Sequence, residues 1–288
     1  MGNDGVHRGI PTDVDGGVAS YDALPFISDS GVICQKINYT DDFVVGSPQL
    51  ADDGDSDHDK RMWFDKSKGA FRTGQVTGSE WDDANVGAAS VSFGYNGTAS
   101  GVYSTHFGSN GTASGTYSTH LGSSGTASGV ASTHVGIDGV ASLRAQTVFS
   151  SGKNGVDGDA QVSLLPHHDE IDHSDTAWHT IYIDGTDDVR TVQTDSSNCV
   201  ICMISGTTQG ATKTFGYLIY AHVENDGGTV AIKSQTKLLD SDADDASFDA
   251  QLAVSGTAVV PQVKDADGTG DTVRWSVAFL DTEAVFAA

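Results

Sequence analysis

Residues 87–142 read GAASVSFGYNGTAS, GVYSTHFGSNGTAS, GTYSTHLGSSGTAS and GVASTHVGIDGVAS, four consecutive units of 14 residues. Each unit is two halves, so glycine recurs at 87, 94, 101, 108, 115, 122, 129 and 136. Coiled coils share a seven-residue period, but glycine at one heptad position and Ser or Thr at most others would melt a helix. The workable alternative is a short strand, a glycine turn, a second short strand and a second turn, closing one coil of a solenoid. With rungs about 4.8 Å apart, the four units make a column only ~15–20 Å tall. So narrow a roll buries little alone, and with no disulfide framework available self-association is expected.

Alternation assigns the side chains of each rung to two faces. One parity carries Ala89, Val91 and Phe93, then Tyr103, Thr105 and Phe107, then Tyr117, Thr119 and Leu121, then Ala131, Thr133 and Val135. The other carries Ser90, Ser104, Ser118 and Ser132, followed by Ser92, His106, His120 and His134. The histidines thus lie opposite the apolar column Phe93, Phe107, Leu121, Val135, and are expected to face solvent or a neighbouring chain. A surface ladder is the plain reading. On a threefold axis, opposed rings could coordinate an ion or respond to pH.

The run ASGVYSTHFG at 99–108, repeated after 14 residues, is similar to the head repeats of trimeric adhesins of the YadA-like type, whose units read roughly A-x-G-x-x-S-x-A-x-G. The resemblance covers about a fifth of the chain. It implies a left-handed parallel β-roll, three chains packed side by side, and an apolar column that fills each roll. His106, His120 and His134 stand where the family pattern usually has Ala. Bacterial adhesins of this type carry a secretion signal and a membrane-anchor barrel. Residues 1–7 have no signal character, and no run approaches the ~20 apolar residues of a membrane span. The expectation is therefore a phage or virus fibre, made in the host cytoplasm and carried on the virion.

Outward from the repeat, 61–86 hold Trp63, Phe64, Phe71 and Trp81 between glycines, and resemble the lead-in of phage and marine viral fibre-type proteins. These short strands are expected to cap the first rung. Residues 1–60, with one strand over 31–37, are the expected attachment region to the particle. Residues 143–175 read as a loop-rich connector. From 176 to 288, strand signals recur at 178–183, 200–204, 216–222, 229–234, 248–254, 258–263 and 272–280, with turns at Asp184-Gly185, Asp226-Gly227 and Asp267-Gly268. That pattern predicts an antiparallel β-sandwich, and the stretches 248–256 and 272–277 resemble the C-terminal β-domain of phage tail proteins. The fold class is all-β.

Acidic residues number 39 against 15 basic ones, a formal charge of -24. Such a chain is unsuited to neutralising phosphates, so nucleic acid is excluded as a partner, as is membrane insertion. Cys199 and Cys202 fall on opposite faces of one strand, which favours packing over metal or redox chemistry. A trimer would carry three times -24, or -72, so Ca2+ or another divalent cation is a candidate stabiliser. Asp53, Asp55 and Asp57 alternate as oxygen-rich calcium loops do, but His58 stands where an EF-hand needs Gly and Phe64 where it needs Glu. Asp240, Asp242, Asp244 and Asp245 form a similar acidic run. His167, His168, His173 and His179, with Asp169, Asp172 and Asp175, are either a polar linker or a second weak metal candidate.

No GxSxG, GxGxxG, GxxxxGK or HExxH motif occurs. With 39 carboxylates, a close pair is uninformative about glycoside chemistry. The expectation is a non-enzymatic homotrimeric fibre, attached to other virion proteins at its N-terminal part and to a host cell-surface glycan or protein through its C-terminal domain. The expected contact residues lie on loops: Asp184, Gly185 and Thr186, then Thr207 and Gln209, then Asp267. A capsid decoration or tail component without receptor binding is the alternative, and a polysaccharide-degrading tailspike the third reading.

Overall fold

A computed structural model of the protein describes residues 27–29, 32–34, 43–46, 60–209, 213–241, 247–268 and 270–285. Among these residues, one short 3-10 turn at Asp83–Asn85 is the only helical element, and the remaining regular elements are strands. Val91–Tyr95, Thr105–Ser109, Thr119–Ser123 and Thr133–Ile137 pair in parallel, each residue beside its equivalent 14 positions on, and Thr147–Ser151 adds a fifth strand. Thr98–Ala99, Thr112–Ala113, Thr126–Ala127 and Val140–Ala141 form the second parallel sheet. The repeat is thus a β-solenoid of about four turns.

Two corners per rung reverse the chain. Asn96, Asn110, Ser124 and Asp138 take positive φ on one edge, and Ala89, Tyr103, Tyr117, Ala131 and Ala145 do so on the other. Gly94, Gly108 and Gly122 are required for a different reason, since a Cβ on any of them would overlap the carbonyl of the next rung. At the start of the stack, Lys60–Asp65 and Ala70–Gln75 form a hairpin whose second strand pairs in parallel with Val91–Tyr95. Trp63, Ala70, Val76, Trp81 and Val86 pack under it, and the Trp81 indole N–H donates to the Gly97 carbonyl at 3.1 Å.

The two faces of the rung are the reverse of the expectation. His106, His120 and His134 are completely buried, as are Ser104, Ser118 and Ser132, whereas Phe107, Leu121 and Phe149 are exposed. The reason is steric. Inside the roll the opposite wall is Ala99, Ala113, Ala127 and Ala141, and a Cβ at Gly97, Gly111, Gly125 or Gly139 would overlap an imidazole. Flat rings fit this slot by stacking at the rung spacing, with centroids 5.0 Å apart for His106–His120 and 4.8 Å for His120–His134. Phenylalanines of the other parity stack outside, Phe93 on Phe107 at 4.8 Å.

A second correction concerns the connector. Ala160–His173 is one 14-residue strand, antiparallel to Thr147–Ser151 on one side and to Asp271–Val285 on the other. Asp271–Val285 then pairs with Ser196–Thr208, which pairs with Thr214–Asp226, which pairs with Thr229–Ser241. The solenoid sheet therefore continues unbroken into the C-terminal sheet. A small sheet of Phe248–Ser255, Ala258–Asp265 and His179–Thr180 supplies the other layer, and His179–Thr180 is all that forms of the strand expected over 178–183. One core lies between these sandwich-like layers, including Leu165, Val200, Cys202, Tyr217, Ile219, Trp275 and Phe279 from the large sheet and Phe248, Leu252 and Val263 from the small one.

Candidate functional site

The roll interior is a polar column closed at both ends. Arg72, itself buried, sits one register position before Ser92 and donates to the carbonyls of Ser90 and Ala99 and to the Ser90 hydroxyl at 2.8–3.0 Å. Val148 closes the other end next to His134. Ser92 Oγ lies 3.1 Å from His106 Nδ1, and the Gly139 backbone N–H donates to His134 Nε2 at 3.1 Å. Burial pushes the imidazoles down, His106 to about 4 with Arg72 adding repulsion, and His120 to about 3 with both neighbouring rings adding theirs. His134 is lowered too, again chiefly by burial. The ladder is a buried stack of imidazoles held toward the neutral form, which corrects its expected place facing solvent or a neighbouring chain. Among the described residues, no three His, Cys, Asp or Glu side chains are placed to hold a metal. Asp53, Asp55 and Asp57 lie outside the described residues.

What the roll shows to the outside is apolar and aromatic. Phe93, Phe107, Leu121, Val135 and Phe149 stand in register, Phe149 pairs with Val162, Leu164 with Leu280, Leu280 with Ile201, and Ile201 with Tyr220. Phe149 is 53% exposed, Met203 47% and Tyr220 41%. On the roll's edge, Tyr103 and Tyr117 are exposed as well, stacked at 5.0 Å with planes 6° apart.

The loop residues expected to make contact fall in two places. Asp184 accepts backbone N–H bonds from Thr186, Asp187 and Asp188 at 3.0–3.1 Å and the Thr186 hydroxyl at 2.7 Å. These bonds hold its carboxyl far below the usual range. Gly185 lies against His168. Thr207 is half-buried, the Gln209 backbone N–H donates to the Thr272 carbonyl at 3.2 Å, and the Asp267 N–H donates to Asp265 Oδ1 at 3.0 Å. These last three sit toward the His173–Asp271 end of the sheet, about 17 Å along the strand from His168. Residues 210–212 of the second loop lie outside the described residues.

Of the histidine cluster, His173 and His179 come together, with ring centroids 5.3 Å apart, and His179 Nε2 lies 3.0 Å from Asp175 Oδ1. His173 is buried and accepts the Trp275 indole N–H at 3.2 Å. His167 is buried farther along the same face, and His168 points to the opposite one. Sequence reading missed a buried polar group at the other end of the core. Arg190 is ion-paired with Asp281, donates to Asn198 Oδ1 at 3.0 Å and lies 3.9 Å from Glu283. Burial, countered by Arg190, holds Glu283 up at about 7. The signal was present, since Asp281 and Glu283 continue the parity of Val277 and Phe279. An open cleft of about 720 Å³ beside this group has Asp159, Asp195, Glu224 and Asp226 in its walls. Asp159 is spent on the N–H groups of Asn154, Gly155 and Val156, Asp195 on that of Gly227, and Glu224 on Lys233.

No family model and no curated protein matches the chain. The solved structures that the chain matches include phage tailspikes. Tailspike protein gp49 of Acinetobacter baumannii bacteriophage Fri1, a capsular polysaccharide depolymerase, is 9% identical with a TM-score of 0.27, over 73% of this chain and 44% of that one. The tailspike of Acinetobacter baumannii phage AM24 is 9% identical with a TM-score of 0.24, over 68% of this chain and 50% of that one. The tailspike of Acinetobacter phage vB_ApiP_P1 is 9% identical with a TM-score of 0.21, over 68% of this chain and 47% of that one. The chain thus spans about half the length of these tailspikes. At this identity the likeness assigns no residue a role. The expectation of a non-enzymatic chain is at odds with these neighbours, one of which is a depolymerase.

Proposed function

We propose that the chain is part of a tailspike-type protein of a phage tail, three copies packed side by side, which engages polysaccharide on the host surface. The left-handed roll and the threefold arrangement come from the repeat's resemblance. The observation that carries the reading is the unbroken apolar band from Phe93 to Tyr220 on one outer face. Summed over Phe107, Leu121, Phe149, Val162, Leu164, Ile201, Met203 and Tyr220, the exposed area is roughly 700 Å², above the ~300–600 Å² of the largest patch on a typical monomer. A second and third copy of the chain cover such a band along its whole length, which yields a stiff, multivalent shaft.

Under this reading the large sheet's outer face is internal to the assembly, and recognition belongs to the roll's edges, the small sheet and the loops. The test is adsorption of labelled protein to encapsulated bacteria and to their acapsular derivatives, with reducing ends assayed in the same incubation. Capsule-dependent adsorption supports the reading, and release of reducing ends adds cleavage to it. Equal adsorption to both strains, or to neither across a strain panel, overturns it.

A further inference from the structure

The corner column Ala89, Tyr103, Tyr117, Ala131, Ala145 has one backbone conformation throughout, with φ from +52° to +61°. Only two rungs carry a ring there. Tyr103 is 54% exposed and Tyr117 59%, the highest exposures of any aromatic side chain among the described residues. One face of Tyr117 is covered by Tyr103, and the other is bordered by Ala131 and then Ala145, where the column falls back to methyl groups. The missing rings leave a notch about two rungs, or roughly 10 Å, high.

The neighbouring column completes its outline. It runs Val102, Thr116, Val130, Arg144. Val130, 37% exposed, precedes Ala131 in the same rung, and the exposed Arg144 stands one rung beyond. Arg144 makes no ion pair within 4 Å among the described residues, and its charge reaches the Asp188 carboxylate only at longer range, whereas Arg190 and Arg274 contact carboxylates directly.

We propose that this notch is a sugar-binding site, in which one pyranose ring of a neutral polysaccharide stacks on the free face of Tyr117 while Arg144 donates hydrogen bonds to its hydroxyls. The inference deepens, and rests on, the reading of the chain as a polysaccharide-engaging tail protein. A phenol ring pairs an apolar face with a polar tip, which suits the C–H face and hydroxyl rim of a sugar. A guanidinium supplies a fixed fork of donors and no acceptor. Charge selects the neutral class, because a polyanion would approach a chain of formal charge -24, while one arginine is too little to hold it. The threefold assembly presents three such notches, so weak single sites add through avidity.

The repeat supplies its own control, since Ala131 and Ala145 show that the corner accepts Ala at this φ. Saturation-transfer NMR on the full chain, with maltohexaose, cellohexaose and chitohexaose as probes, reads the contact directly. Transfer to the sugar ring protons is expected from at least one probe, with affinity falling at least tenfold in Tyr117→Ala, falling in Arg144→Gln, and staying within about twofold in Tyr117→Phe. Binding that survives Tyr117→Ala unchanged overturns this site and leaves the functional reading standing. Absence of transfer from all three probes overturns the site, and the capsule-adsorption assay then decides the functional reading separately. A change of solution mass in Tyr117→Ala assigns the ring to packing between copies and likewise overturns the proposal.

Discussion

Acidification from pH 7 to pH 5 should unfold the roll's advantage through its buried histidines. In an unfolded chain these imidazoles titrate near 6.5, whereas in the roll His106 is held at about 4 and His120 at about 3. The folded state therefore binds fewer protons across this interval. For groups lowered on folding, the stability they contribute is present above pH 6.5 and is lost as pH falls toward 4. Each of the two removes about 2 kcal/mol between pH 7 and pH 5, so together roughly 4 kcal/mol, a large share of the ~5–15 kcal/mol of a typical domain. His134 acts in the same direction. Carboxylate protonation works the other way by relieving repulsion, so the informative quantity is a difference between variants. The triple variant His106→Ser, His120→Ser, His134→Ser places in each rung the side chain that Ser92 already has at this register. Urea midpoints of both proteins at pH 7, 6 and 5 give the slopes. The wild type should lose several kcal/mol more than the triple variant over that interval. Equal slopes, or imidazole NMR resonances titrating near 6.5 in the folded protein, would refute the argument.

Two further outcomes follow from the same packing. Gly111→Ala drives a methyl group into the His120 ring, which the rings of His106 and His134 hold on both sides. It should cost about 1–3 kcal/mol in a urea melt, and His120→Ser should recover part of that loss. For Glu283, raised to about 7 by burial, the folded state binds more protons than the unfolded one, so its contribution is present below pH 4.5 and is lost as pH rises to 7. Glu283→Gln should flatten that part of the stability profile, and a parallel profile would show that Glu283 does not titrate there.

Rung length, strand parity and the all-β class were legible because a 14-residue repeat forces each side chain to stack on its own equivalent. The sign of the parity was not. The argument from polarity puts Phe107 inside and His106 outside, but space decides, and a bore walled by Ala113 and Gly111 admits a flat imidazole. The third glycine of each rung, at 97, 111, 125 and 139, was the available clue, since it marks where the backbone gives way to a ring. Ala160–His173 escaped notice for a related reason. Its buried face mixes Gln161, Ser163 and His167 with Leu165 and Ile171, so no apolar alternation announces a strand. The buried group of Arg190, Asp281 and Glu283 joins segments about 90 residues apart, a pairing that sequence order does not reveal.

Light scattering of the intact protein tests the central claim, that the outer apolar band is covered by further copies of the chain. The mass should be near three times 29.9 kDa for the wild type. For the variant Phe107→Asp, Phe149→Asp, which places a carboxylate at two points of the band, it should fall toward 29.9 kDa. A wild-type monomer, or a variant that keeps the wild-type mass, would contradict the account.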